Sequence, residues 1–113
     1  MGTETKTETI VLTGASGKKY TFYVYDWGAE FKVVGGVYAV LKAVSNQAGS
    51  LTYYVIYIGQ TGDLSERFDN HHKADCFRRN GANRISAFIE ENEQARLAAE
   101  RDLIAAYNPP CNG

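Results

Sequence analysis

Val33-Val34-Gly35-Gly36-Val37-Tyr38-Ala39-Val40-Leu41-Lys42-Ala43-Val44 and Leu51-Thr52-Tyr53-Tyr54-Val55-Ile56-Tyr57-Ile58 decide how this chain folds. Both are long runs dense in β-branched and aromatic residues. Ser45-Asn46-Gln47-Ala48-Gly49-Ser50 between them is polar and turn-forming, so an antiparallel hairpin is the simplest connection. Toward the N-terminus, Ile10-Val11-Leu12-Thr13 and Tyr20 to Asp26 flank Gly14-Ala15-Ser16-Gly17 and predict a second hairpin over residues 9–26. Trp27-Gly28-Ala29-Glu30 breaks the chain after it. Toward the C-terminus, Gly59 to Asp63 turns into a helix expected from about Leu64 to Phe77, and Arg84 to Ile89 follows as a short strand. Asn92 can cap a second helix running to about Tyr107, which Pro109-Pro110 stops. The order β-β-β-β-α-β-α predicts an α+β fold: a small, mainly antiparallel central sheet flanked by helices.

A chain of 113 residues has room for one core, expected over residues 9–113 behind a polar lead-in, residues 1–8, without a signal peptide's apolar segment. Hydrophobic residues at 44% and charged residues at 22% fit a globular protein rather than a disordered one. No apolar run reaches the roughly 18 residues of a membrane span. The two cysteines, Cys76 and Cys111, have no metal-ligand spacing and read as one buried thiol and one loop thiol, which points to a cytoplasmic location. A net charge of −1 argues against a protein that coats nucleic acid electrostatically. The charge is unevenly spread: Arg67, Lys73, Arg78, Arg79 and Arg84 crowd one segment, and Glu90, Glu91, Glu93 and Glu100 the next. On charge alone, a polyanion site beside a metal and a pair of solvated helix faces fit equally well.

Three groups of residues carry possible chemistry. Glu100 falls among Leu97, Leu103, Ile104 and Tyr107 on a helical wheel, and a carboxylate facing a core is costly unless paired or bound to a cation. An i,i+4 ion pair with Arg96, or a stripe edge open to water, accounts for it equally well. Arg67 and His71 share one helix face at i,i+4; the first offers a fork of donors for phosphate oxygens, the second a proton carrier near neutral pH. Surface decoration is the plain alternative, and His72 is the other candidate proton acceptor. Tyr38 and Tyr57 stand out among the eight tyrosines because Gly36 and Gly59 flank them, and a glycine in a strand marks close approach of a ligand or another backbone. Asn112, after two prolines, can return to orient Glu100 or a strand end.

Taken together, Gly36-Val37-Tyr38, Tyr57-Ile58-Gly59-Gln60-Thr61, Leu64, Arg67, His71, Glu100, Leu103-Ile104, Pro109 and Asn112 resemble the GIY-YIG nuclease signature, with Val37 in place of the usual isoleucine. The inter-tyrosine hairpin is longer than in compact members, and the hairpin over residues 9–26 resembles an accessory extension. The resemblance implies a divalent-metal-dependent endonuclease hydrolysing DNA phosphodiesters. It implies catalytic roles for Tyr38, Tyr57, Arg67, His71, Glu100 and Asn112, with Glu100 the protein ligand to Mg²⁺ (or Mn²⁺). Gly59, Lys73, Arg78, Arg79 and Arg84 would contact the DNA backbone without reading sequence. A non-catalytic nucleic-acid- or protein-binding module, or the catalytic piece of a larger repair, mobile-element or restriction system, stays open beside it.

Overall fold

The computed structural model describes residues 8–66 and 72–112. They form β1 (Glu8–Thr13), β2 (Lys19–Asp26), β3 (Gly36–Ser45), β4 (Leu51–Thr61), a 3-10 turn (Leu64–Glu66), α1 (Ala74–Arg79), β5 (Arg84–Ile89) and α2 (Glu93–Tyr107). The strands make one sheet in the order β1-β2-β5-β3-β4, and every pairing is antiparallel. This is the expected α+β architecture. Both predicted hairpins are present. Asn92 caps α2 by accepting the Ala95 N–H at 2.8 Å, and left-handed Asn108 ends the helix ahead of the prolines.

The expected continuous helix over Leu64 to Phe77 is not formed. Asp63 Oδ1 takes both the backbone N–H and the hydroxyl of Ser65 and so caps the start of the 3-10 turn. Leu64 N–H is drawn to the Val34 carbonyl at 2.8 Å. His72 and Lys73 lie in a turn, and α1 begins only at Ala74.

Alternation along β3 splits the interior into two cores. Val37, Ala39 and Leu41 join Phe22, Ile58 and the α2 residues Ala99 and Leu103 on one face. Tyr38 and Val40 join Tyr57, Leu64, Phe77, Ile85 and Cys111 on the other. Residues 36–41 are all buried, as a strand covered on both faces and both edges requires.

The sheet curls until its two edge strands approach each other: Glu8 at the start of β1 accepts a hydrogen bond from the Tyr53 hydroxyl on β4. Burial and that carboxylate push the Tyr53 phenol up to about 12. Helix α2 touches β4, β3 and β1, and so bridges both edges. Asp102 on α2 holds the β1–β2 turn. Its carboxylate accepts from the Ser16 N–H (2.9 Å), the Ser16 hydroxyl (2.7 Å) and the Tyr20 hydroxyl (2.9 Å). Tyr107 adds a further tie, its hydroxyl accepting from Thr13 N–H at 3.0 Å. Among the described residues no helix is long and apolar enough to cross a membrane.

Candidate active site

Tyr38 and Gly59 sit directly opposite each other on β3 and β4. The phenol lies across the glycine so closely that a Cβ there would stand 2.5 Å from the ring and its hydroxyl. A side chain at Gly36 would stand 2.5 Å from the Phe88 carbonyl and 2.8 Å from Leu64. The close approaches anticipated at these glycines are therefore made by a ring, a leucine and a backbone carbonyl. Gly59 is buried under Tyr38 rather than open to a DNA backbone.

Tyr38 is fully buried and Tyr57 is 8% exposed, with ring centroids 6.0 Å apart. Tyr57 also meets Phe77 of α1 at 5.4 Å and the exposed His72 ring edge-on at 6.5 Å. Among the described residues, His72 is thus the imidazole beside the tyrosines. Arg67 and His71 lie outside the described residues.

β4 is an edge strand, and the C-terminal tail covers the edge. A bulge between Val40 and Leu41 of β3 places an extra residue, Ile56, on β4, and the Ile56 carbonyl accepts the Cys111 N–H at 3.0 Å. Asn112 then grips Ile58 twice: its Oδ1 accepts the Ile58 N–H and its Nδ2 donates to the Ile58 carbonyl, both at 2.9 Å. A side-chain amide here stands in for a neighbouring strand. Of the two roles foreseen for Asn112, the strand is the one seen.

The tail is also fixed covalently. Cys76 on α1 and Cys111 form a disulfide with a Cα separation of 5.9 Å, which corrects the expectation of two free thiols. The sequence separation of 35 says nothing of pairing; the fold of the tail back onto β4 brings the sulfurs together. The thiol argument for a reducing, cytoplasmic setting falls with it. Asn80 Nδ2 donates to the Cys76 carbonyl at 2.9 Å and braces the same corner.

Glu100 is half-buried on the flank of the α2 seam: Leu103 of the expected stripe is fully buried and Ile104 packs against the core, Arg96 and Ala99 complete the seam, and Tyr107 is exposed. Its helix packs on the face opposite the tyrosine cluster and makes its main contact with β4, so the sheet lies between that helix and the phenols. Arg96 is 7% exposed and is committed elsewhere than the i,i+4 pairing suggested. Its Nε donates to Gln60 Oε1 at 2.9 Å, and one Nη donates to the carbonyls of Glu90 and Glu91 at 3.0 Å each. Because Gln60 directly follows Tyr57-Ile58-Gly59, this guanidinium sets the height and rotation of α2, and hence of Glu100, against that strand.

Lys73, Arg78 and Arg79 lie together on α1 and its cap, with Arg78 paired to Asp75. Arg84 is not with them. It points to the opposite face, where it lines a small cleft with Glu8 and Tyr53 and lies 3.9 Å from Asp26. Among the described residues no three His, Cys, Asp or Glu side chains converge into a metal cage. Both cysteines are spent in the disulfide, and a half-buried carboxylate such as Glu100 suits a hard divalent cation that keeps most of its waters. No protein-family model matches the chain, and no curated protein or solved structure matches it.

The disulfide, the Arg96 clamp and the His72–Tyr57 contact escaped the sequence reading. Arg96 left a trace as a cation at i−4 from Glu100, and His72 as the alternative proton acceptor to His71.

Proposed function

We propose that this chain is a divalent-metal-dependent endonuclease of the GIY-YIG type, hydrolysing phosphodiester bonds in DNA. The observation that carries the proposal is the pairing of Tyr38 and Tyr57 on neighbouring strands, with Asn112 gripping Ile58 between Tyr57 and Gly59. Tyr38 activates the attacking water and passes its proton toward a histidine, His71 or its neighbour His72. Tyr57 positions the water or the scissile phosphate. Arg67 balances the charge gained as the phosphorus becomes pentacoordinate, and the bond to the 3′ oxygen breaks. Glu100 holds the cation, Mg²⁺ or Mn²⁺, which when bound polarises the phosphate and neutralises the leaving oxygen. Lys73, Arg78 and Arg79 contact the backbone without reading bases. The β1–β2 hairpin is an extension of the β4-β3-β5 unit that carries the signature.

The test is nicking of supercoiled DNA. Purified protein is expected to nick with Mg²⁺ or Mn²⁺ and not with a chelator, and Glu100→Ala is expected to be inactive while still folded. Equal activity in Glu100→Ala would refute the assignment.

A second reading, a binding module that has kept the fold without the chemistry, is favoured by two observations. Tyr38 has no exposed surface, and α2 lies on the face opposite the phenols. DNA binding that weakens with salt, with no metal-dependent cleavage, would decide for it. In either case the Cys76–Cys111 bond weighs toward a compartment in which disulfides can form, against the cytoplasmic location drawn from composition.

A further inference from the structure

Beside the tyrosine cluster, the loop after β2 and the 3-10 turn enclose an open cleft of about 410 Å³ that none of the roles above uses. Its walls include Trp27, Phe31 and Ile85, with Glu30 and Ser65 supplying the polar groups. Trp27 is the chain's only tryptophan and is 51% exposed. It is held edge-to-face by Phe77 at 6.3 Å, and Phe77 in turn packs on Tyr57, so the cleft lies two ring contacts from the proposed site of cutting. Phe31 is steadied by Tyr25 in the same way, at 5.1 Å.

Two polar side chains of the cleft, Glu30 and Ser65, present acceptors, and Trp27 adds an indole N–H. Glu30 is a carboxylate, and the Ser65 hydroxyl already donates its proton to Asp63 at 2.6 Å, which leaves its oxygen to accept. Among the described residues, those lining the cleft include no lysine or arginine. The rim differs. Phe77, which Trp27 touches, belongs to α1, and α1 with its cap carries Lys73, Arg78 and Arg79 against the single acid Asp75. An aromatic cleft carrying a carboxylate, beside a cationic helix, fits a molecule that is flat, uncharged and donor-bearing at one end and anionic at the other. A basic peptide side chain would suit Glu30 but would be opposed by α1.

We infer that this cleft takes one unstacked nucleobase of the DNA substrate, stacked on Trp27 with its exocyclic amino group on the Glu30 carboxylate. Its phosphate then lies toward α1. Aromatic side chains bind bases this way with little regard to identity, whereas a carboxylate favours bases with an amino donor, such as cytosine, over thymine. The inference rests on the nuclease proposal and narrows its substrate to DNA with an unpaired nucleotide near the cut, as in a branch, flap or single strand.

Trp27, as sole tryptophan, reports on the cleft without any need for cleavage or metal. Titrating intact protein with cytidine, thymidine and Nα-acetyl-argininamide should give saturable change in Trp27 emission with cytidine, and roughly 10-fold weaker binding of thymidine, the scale of one charge-assisted hydrogen bond. Exposed Glu30→Ala should leave the fold intact and abolish the difference between the two nucleosides. The inference is overturned if neither nucleoside binds, if both bind equally to the unaltered protein, or if the argininamide binds more tightly than cytidine. Cytidine binding without metal-dependent nicking would count against the nuclease proposal alone, whereas nicking without cytidine binding would count against this inference alone.

Discussion

The phenol of Tyr38 occupies the space that any side chain at position 59 would need. Sequence spacing puts a glycine and a tyrosine near the ends of two strands; the register of β3 on β4 makes them one packing unit. Gly59→Ala should therefore displace the ring and destabilise the domain by roughly 1–3 kcal/mol, as overpacking does. Tyr38→Phe keeps the ring and should change stability by less than about 1 kcal/mol while removing nicking. Thermal melts beside a nicking assay separate the two effects.

Arg96 supports α2 from below. Replacing it with methionine keeps much of the stem but leaves the Glu90 and Glu91 carbonyls and Gln60 without their donor. A loss of about 2–4 kcal/mol is expected, the scale of breaking a buried charged hydrogen-bond set. Urea unfolding of Arg96→Met measures it, and a change below about 0.5 kcal/mol would mean that α2 is held by apolar packing alone.

Reduction should loosen the tail. The Cys76–Cys111 bond closes a long loop, and cross-links of that span contribute on the order of 3–4 kcal/mol in the chain-entropy account. Cys76→Ser with Cys111→Ser, or a dithiol reductant on the unaltered protein, should lower the melting temperature. An unchanged melt would show that Pro109 burial and the Asn112–Ile58 pair fix the tail without the cross-link.

Asp102 gives the fold an acid-side pH dependence. The Ser16 hydroxyl and N–H, with Tyr20, hold its carboxyl below the ordinary carboxylate value. A depressed folded value means the latch is fully present above the unfolded pKa of about 3.9 and is lost as pH falls through the folded one. Melting temperature of the unaltered protein should fall more steeply below about pH 4 than that of Asp102→Asn. Parallel curves would place the acid sensitivity elsewhere.

Much of the fold was legible because its signals are local. Two long β runs around a polar turn, Asn92 before a helical stretch and Pro109-Pro110 after it each act through near neighbours. The turn at His72 and Lys73, which delays α1 to Ala74, carries no glycine or proline to announce it. Long-range pairings were least visible: the disulfide, the Arg96–Gln60 bond and the curl that joins Glu8 to Tyr53 unite residues far apart in the chain. The expected stripe of α2 included Leu103 and Ile104, which do pack inward, but left out Arg96, whose aliphatic stem belongs to the buried seam.

A crystal soaked in Mn²⁺ and measured at the manganese absorption edge tests the proposed site most directly. An anomalous peak at the Glu100 carboxylate is the expected result. A fully soaked crystal with no peak at Glu100, or with its peak bound elsewhere, would contradict the assignment of Glu100 as the metal-holding carboxylate of a nuclease.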